Sequence, residues 1–390
     1  MNGVFRLAVR RLQHDPWQAL ILAVCIAVAL ALPLTTGSVV DRYQAELTTR
    51  ADATPLIAGA IGNRFDLTLA CLYFHQREVE TVPASLADEI QASGLGVAIP
   101  LHVRFTARGY PLVGTVPEYY ELRGLRAAVG SLPLEAGEVV LGSGVAVELD
   151  LGPGDHLFSD QVELYDISVP PSLKMRVCGV LAPTGGPDDG AVFVDLVTAW
   201  VVEGIAHGHD DVTQGVDPAQ ILAQTDEAIV LSGAFIEYNE ITPDNAGSIH
   251  LHADRPELPL SGIIVNPLDQ KSATILASRL NARRVHQMLV PRAVVDDLLA
   301  VVFRIKRLVD VLALLLGAST ILLSILVIVL SLRARTREIE TLHRIGCPRF
   351  AVVRLCTAEI GLVILTACAG AAAVAWVGRT LLAEFLFRIL

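Results

Sequence analysis

Two histidine pairs are the part of this sequence best suited to hold an ion. One is His207-Gly-His209, followed by Asp210-Asp211; the other is His250-Leu-His252, with Asp254 close behind. Alternate residues of a strand share a face, so each H-x-H can offer two imidazoles to one side. Imidazoles with carboxylates beside them suit Zn²⁺ or a similar divalent ion. The competing reading is that all four histidines are solvated loop residues, since glycine and aspartate surround the first pair. No other cofactor is expected on the chain itself. No G-x-x-x-x-G-K-[ST] run occurs, so nothing here cradles ATP phosphates, and any ATP must sit on a partner subunit. No nucleophile with an orienting base stands out either, so the chain does not read as an enzyme.

A second set of residues is suited to docking. Thr336-Arg-Glu-Ile-Glu-Thr-Leu-His-Arg-Ile345 has the period of an amphipathic helix. Ile339, Leu342 and Ile345 fall on one face, and the charged residues fall opposite. Gly346 can end this helix and Pro348 prevents its resumption. An apolar ridge of that kind fits a groove on a partner ATPase, or alternatively lies flat on lipid.

The elements that must position this ridge are membrane spans. Three apolar runs, residues 17–36, 308–332 and 352–377, are long enough to cross about 30 Å of hydrocarbon as helices. The fold class expected is therefore a membrane protein with three α-helical spans and a large α+β extracytoplasmic domain. The expected order is a cytoplasmic N-terminus (1–16), the first span, the α+β domain (37–290), a stalk helix (291–307) and the second span. A cytoplasmic coupling loop (333–351), the third span and a short C-terminal segment (378–390), interfacial in character, complete it. A cleaved leader is the rival for residues 17–36, but its basic leader is long and no A-x-A site follows.

Charge separates these parts. The net charge of −11 combines −19 between Gly37 and Phe303 with +8 elsewhere. An acidic domain argues against nucleic acid as a partner. Arg6, Arg10 and Arg11 precede the first span, and Arg333, Arg335, Arg337, Arg344, Arg349 and Arg354 cluster between the other two. Basic residues favour the cytoplasmic side, which places residues 37–303 outside. Arg304, Lys306 and Arg307 dissent, but long domains translocate largely regardless of such charges.

Within the domain, spacing predicts helices over Val82–Ser93, Ser143–Leu149, Leu196–Val202 and Gln270–Ala282, and a hairpin over Val97–Thr115 turning at Arg108-Gly109. From Pro291 the pattern is helical as far as Arg335, a length of about 65 Å if unbroken. The alternative is two helices hinged near Phe303. Cys71 and Cys178 read as buried free thiols rather than a disulfide. Glu359, inside the third span, must face protein, water or a basic neighbour such as Arg354. Gly361 and the run Cys368–Ala373, which includes Gly370, permit close helix approach, at a dimer seam or within the chain.

These features together resemble the FtsX/MacB-type ABC transporter permeases. The R-E-I-x-x-L-x-x-I-G core of that family is matched by Arg337-Glu338-Ile339, Leu342 and Ile345-Gly346. Gly137–Leu157 and the stretch VCGVLAPTGGPDDGAVFVDLVTA (177–199) are similar to its outer-domain motifs, and Glu359 and Gly361 match the acid and glycine that open its third span. The resemblance implies a multi-pass protein of the bacterial plasma (inner) membrane, with a cytoplasmic N-terminus and the large domain periplasmic or extracellular. It implies a cytoplasmic ABC ATPase partner, a homodimer or a heterodimer with a related permease, and a periplasmic adaptor or substrate protein. Arg337, Glu338, Ile339, Leu342, Arg344, Ile345 and Gly346 would couple to the ATPase. Glu359, Gly361 and Gly370 would serve coupling and packing inside the membrane. The implied action is mechanotransmission: ATP-driven closure passed through loop and stalk to the outer domain, to export or extract a lipoprotein, lipid, peptide or drug. A non-transporting regulator of an extracytoplasmic partner and a membrane-anchored metal-binding module are the alternatives. The family's fourth span has no counterpart in 378–390, where Arg379, Glu384 and Arg388 interrupt a short run.

Overall fold

The computed structural model describes residues 2–14, 16–75, 79–133, 135–160, 172–208, 221–224, 229–231, 239–242, 245, 249–251, 255–334, 336, 340, 344 and 349–389. The chain divides into two units, one of residues 1–45 with 298–389 and one of residues 46–297.

The chain opens with α1 (Asn2–His14) and α2 (Pro16–Asp52). The domain follows as β1 (Leu56–Ala60), α3 (Arg64–Tyr73), β2 (Val82–Pro83), α4 (Ser85–Ala92), β3 (Gly96–Ala107), β4 (Tyr110–Thr115) and α5 (Pro117–Arg123). Next come β5 (Ala127–Gly130), β6 (Glu138–Leu141), α6 (Ser143–Leu149), β7 (His156–Phe158), β8 (Lys174–Leu181), β9 (Val192–Asp195) and α7 (Leu196–Glu203). Short strands β10 (Ala206–Gly208), β11 (Ile221–Gln224), β12 (Ile229–Leu231), β13 (Ile249–Leu251) and β14 (Pro259–Leu260) precede β15 (Gly262–Pro267), α8 (Gln270–Ala282) and β16 (His286–Leu289). Two long helices end the chain, α9 (Pro291–Ala334) and α10 (Arg349–Ile389).

The domain is built on a ten-stranded mixed sheet of order β16-β1-β15-β3-β4-β9-β6-β8-β5, with β7 paired to β8. Its middle reads as continuous apolar sequence for a physical reason. Ile263, Ile264 and Val265 are all fully buried, and successive strand residues point to opposite faces, so both faces are covered there. Polar side chains set the helix starts. Asp195 accepts from the backbone N–H groups of Val197 and Thr198, each at 3.1 Å, and Asp269 accepts from that of Ser272 at 2.7 Å. The hairpin turns where expected, with Arg108 and Gly109 both at positive φ (55° and 82°), as a two-residue turn between twisted strands requires. One element differs from its sequence expectation. Val82 and Pro83 are a strand paired with Leu260 and Pro259, and the helix begins only at Ser85. A long-range ladder outcompetes helical periodicity there.

The three apolar runs are parts of helices long and apolar enough to cross a membrane. The first does not stop at Thr36 but continues helically to Asp52. α9 is helical through Phe303. The C-terminal segment is not a separate element, because α10 runs through Gly378 to Ile389. Within this unit Gly370 faces α2, where an added Cβ would lie 3.6 Å from that of Ala27. That is ordinary van der Waals distance, so this stretch of α10 lies close to α2 with room for a methyl group.

Cys71 and Cys178 are free and buried. Burial pushes the Cys71 thiol up to about 12 and that of Cys178 to about 11. Since the thiolate is the nucleophile, neither is reactive while the domain is folded. With the other four cysteines replaced by alanine, a maleimide near neutral pH is expected to leave the folded chain unlabelled and to modify both thiols after denaturation. Rapid labelling of the native chain, read by intact mass, would contradict this.

Candidate functional site

The clearest constellation of buried charge lies where the last turn of α2 enters the domain. Leu47 and Ala51 are buried on one face of that turn, and between them Arg50 projects inward with a side chain only 10 % exposed. Its guanidinium meets Asp188, 3 % exposed, in a bidentate pair: Nη1 donates to Oδ2 at 2.5 Å and Nη2 to Oδ1 at 2.9 Å. Nη2 also donates to Tyr119 Oη at 2.7 Å, and the tyrosine hydroxyl donates to Asp188 Oδ1 at 2.7 Å. Nε donates to the Leu72 carbonyl at 3.1 Å, and Tyr73 Oη donates to the Leu47 carbonyl at 2.9 Å. Four of the five N–H groups of an otherwise expensive buried cation therefore have acceptors.

Aromatic rings wall this socket. Phe74, Tyr119, Tyr120 and Phe193 pack edge-on or tilted with centroids 5.7–6.4 Å apart, and Arg50 lies 5.8 Å from the Phe74 centroid. Burial pushes both tyrosine phenols up, which keeps them neutral. From α5, Arg123 reaches back to the end of α2, donating to Thr54 Oγ1 at 2.8 Å. Burial and, after it, the Arg50 charge lower its pKa.

Asp188 is presented by a tight turn. Its neighbour Asp189 accepts from the backbone N–H of Thr184 at 2.9 Å and of Gly185 at 2.7 Å, which closes the segment Thr184–Gly190 on itself. Gly142 has to be glycine for this turn to seat, because a Cβ there would run into the carbonyl oxygens of Asp188 and Asp189.

The first turn of α9 is tied in beside α2. Arg292 bridges Asp52 at 2.6 Å and Asp296 at 3.0 Å, and Arg64 pairs with Asp297 at 3.0 Å, while Val294 and Val295 are buried. These pairs are exposed and individually worth little. The buried Arg50–Asp188–Tyr119 group dominates. The arrangement offers no nucleophile and no proton-transfer pair open to a substrate. What it can do is hold: the end of α2 cannot shift relative to the domain without separating a buried ion pair.

The residues singled out in the sequence lie elsewhere. Arg337, Glu338, Ile339, Leu342, Ile345 and Gly346 fall outside the described residues, whereas Thr336, Glu340 and Arg344 are helical and exposed. Glu359 is half-buried in α10, Gly361 faces open space and Gly370 packs on α2. Of the histidines, His207 in β10 and His250 in β13 are direct cross-strand partners, and His209 and His252 fall outside the described residues. Among the described residues, no group of three or more His, Cys, Asp or Glu is placed to hold a metal. Sequence reasoning missed Arg50, Tyr119 and Asp188. The one available signal was the helical period of residues 37–52 beyond the first span.

No family model and no curated protein match the chain. Among solved structures it is similar to the periplasmic region of MacB from Actinobacillus actinomycetemcomitans, at 11 % identity and a TM-score of 0.35, over 65 % of this chain and 97 % of that one. It is also similar to the extracellular domain of the noncanonic ABC-type transporter YknZ from Gram-positive bacteria, at 10 % identity and a TM-score of 0.33, over 60 % of this chain and 98 % of that one.

Proposed function

We propose that this chain is the permease subunit of an ABC transporter of the FtsX/MacB type, with its α+β domain outside the cytoplasmic membrane. A partner ATPase supplies the energy, and the helices carry the resulting movement to the domain. The observation that carries this reading is the clamp on the domain-side ends of α2 and α9. Both helices contain a membrane-length apolar run, and both ends are fastened by ion pairs, one of them buried. A passive anchor needs no such fastening, whereas a force-bearing rod does. The R-E-I-x-x-L-x-x-I-G core and the arginines around it support a cytoplasmic docking loop between the second and third spans. The cargo is a substrate handled at the outer face, of lipid, lipoprotein, peptide or drug character, and the permease works as a dimer.

The direct test is to purify the full chain from its host in mild detergent and identify what accompanies it. A Walker-motif ATPase in fixed ratio, whose ATP hydrolysis changes when the chain is present in a bilayer, is the expected result. A chain that purifies without any ATPase and leaves the activity of the genomically adjacent one unaltered would remove the permease reading.

A further inference from the structure

An edge strand of a β-sheet is a template on which another chain can pair through its backbone. One edge of the ten-stranded sheet is β16, whose inner side pairs antiparallel with β1: Ile57 lies opposite Leu289, Ala58 opposite Met288 and Ala60 opposite His286. On the outer side, a side chain takes the place that a neighbouring strand would fill. Asn281, in the last turn of α8, accepts from the Met288 backbone N–H through Oδ1 at 2.8 Å and donates from Nδ2 to the Met288 carbonyl at 3.0 Å. One bonded rung of an antiparallel ladder supplies the same pair of bonds.

Bond alternation places the outward groups. Since Met288 spends both backbone groups on Asn281, the rungs bonded to β1 are those of its neighbours Gln287 and Leu289. The outward positions are then His286, Met288 and Val290. The Val290 carbonyl is spent as well, accepting from the Ala293 N–H at 3.1 Å and the Val294 N–H at 3.4 Å in the first turn of α9. A strand that adds to an edge needs successive outward groups, and here the middle position is closed and the carbonyl of the next is taken. The turn before β16 holds the amide in place: Arg284 adopts a φ of 54°, and its N–H donates to the Asn281 carbonyl at 3.4 Å.

We infer that Asn281 seals this edge of the sheet against strand addition by a second copy of the chain. Without the seal, two copies have a self-complementary way to pair. They would run antiparallel about a two-fold axis at Gln287, with His286 of one copy opposite Met288 of the other, and the sheet would continue across both molecules. The seal confines self-association to other surfaces. It does not rest on the permease reading, since an anchor and a transporter need it alike.

The test uses the full chain in detergent, with its six cysteines replaced by alanine and a single thiol introduced by Gln287→Cys. In the two-fold pairing this position faces its own copy on a rung not bonded across the interface, where Cα atoms stand about 4.5 Å apart and a disulfide can close. Gln287 donates to the Ala60 carbonyl at 2.7 Å, but it is replaced in every chain compared, so that loss cancels. With Asn281 present, mild oxidation should leave the chain unlinked on a non-reducing gel. Adding Asn281→Ala, or Asn281→Ser with its shorter hydroxyl, should produce a disulfide-linked dimer. A second measurement needs no variant: in hydrogen–deuterium exchange of the parent chain, the Met288 amide should be protected like the ladder amide of Gln287. No linked dimer from either folded variant, as much of it with Asn281 in place, or a Met288 amide exchanging at the rate of an unbonded one would overturn the inference.

Discussion

Replacing Arg50 by methionine is expected to destabilise the α+β domain by about 3–5 kcal/mol, because it strands a buried carboxylate. Asp188 is 3 % exposed, and without the guanidinium its one remaining side-chain partner among the contacts described above is the Tyr119 hydroxyl. Asp188→Asn should cost a comparable amount, since it leaves the arginine charge buried without a counter-ion. The double change Arg50→Met with Asp188→Leu should recover much of that loss, as apolar replacements of whole buried pairs often do. The chain offers its own probe: Trp200 is buried in the domain with its indole N–H donating to the Pro259 carbonyl at 2.9 Å, and the other two tryptophans, Trp17 and Trp376, lie in the long apolar helices. With those two changed to phenylalanine, urea unfolding followed by Trp200 fluorescence reports on the domain. A loss below about 1 kcal/mol for Arg50→Met would show an exposed-type pair and would remove the clamp. In the permease reading the double variant is the more informative. It should be stable and yet transmit less, because an apolar contact slides where a bidentate ion pair does not.

In the permease reading, changing Ile339, Leu342 and Ile345 together to aspartate is expected to abolish association with the proposed ATPase partner. Each apolar side chain fully buried in a groove contributes about 1.5–3 kcal/mol, so the three together exceed about 4 kcal/mol, or roughly a thousandfold in affinity. Alanine at Thr336 and Glu340 provides the control. These residues are helical and exposed, and with Arg344 they occupy every fourth position, which is one side of a helix. They should alter affinity less than about tenfold, as rim residues of interfaces do. Co-purification of each variant with the ATPase measures both. If the triple aspartate variant retains the partner, the ridge is not the docking surface. If, in addition, the same change detaches a span-free peptide of this segment from membranes in a flotation assay, the ridge lies on lipid.

The local signals in this chain were readable because short-range physics decides them. Gln270–Ala282 forms the helix that its spacing and the Asp269 cap predict, and the hairpin turns at Arg108-Gly109, where positive φ is needed. The apolar runs are likewise legible, since length and hydropathy alone determine whether a helix can span. Val82–Pro83 was misread as helix because its ladder partners, Pro259 and Leu260, lie far away along the chain. The extension of α2 to Asp52 was missed for a different reason. Residues 37–52 carry enough charge and threonine to read as the polar start of a domain, and the helix there is held by what it packs on.

The sequence by itself determined that three helices can cross a membrane, which side their flanking arginines favour, and that no G-x-x-x-x-G-K-[ST] run occurs in it. Those properties are sums over composition and local period, and no long-range contact can reverse them. Only the tertiary structure decided which charges meet. Arg50, Tyr119 and Asp188 come from a helix end, a short helix and a turn. No periodicity encodes such pairings, because they depend on sheet order and register, which the whole domain sets at once.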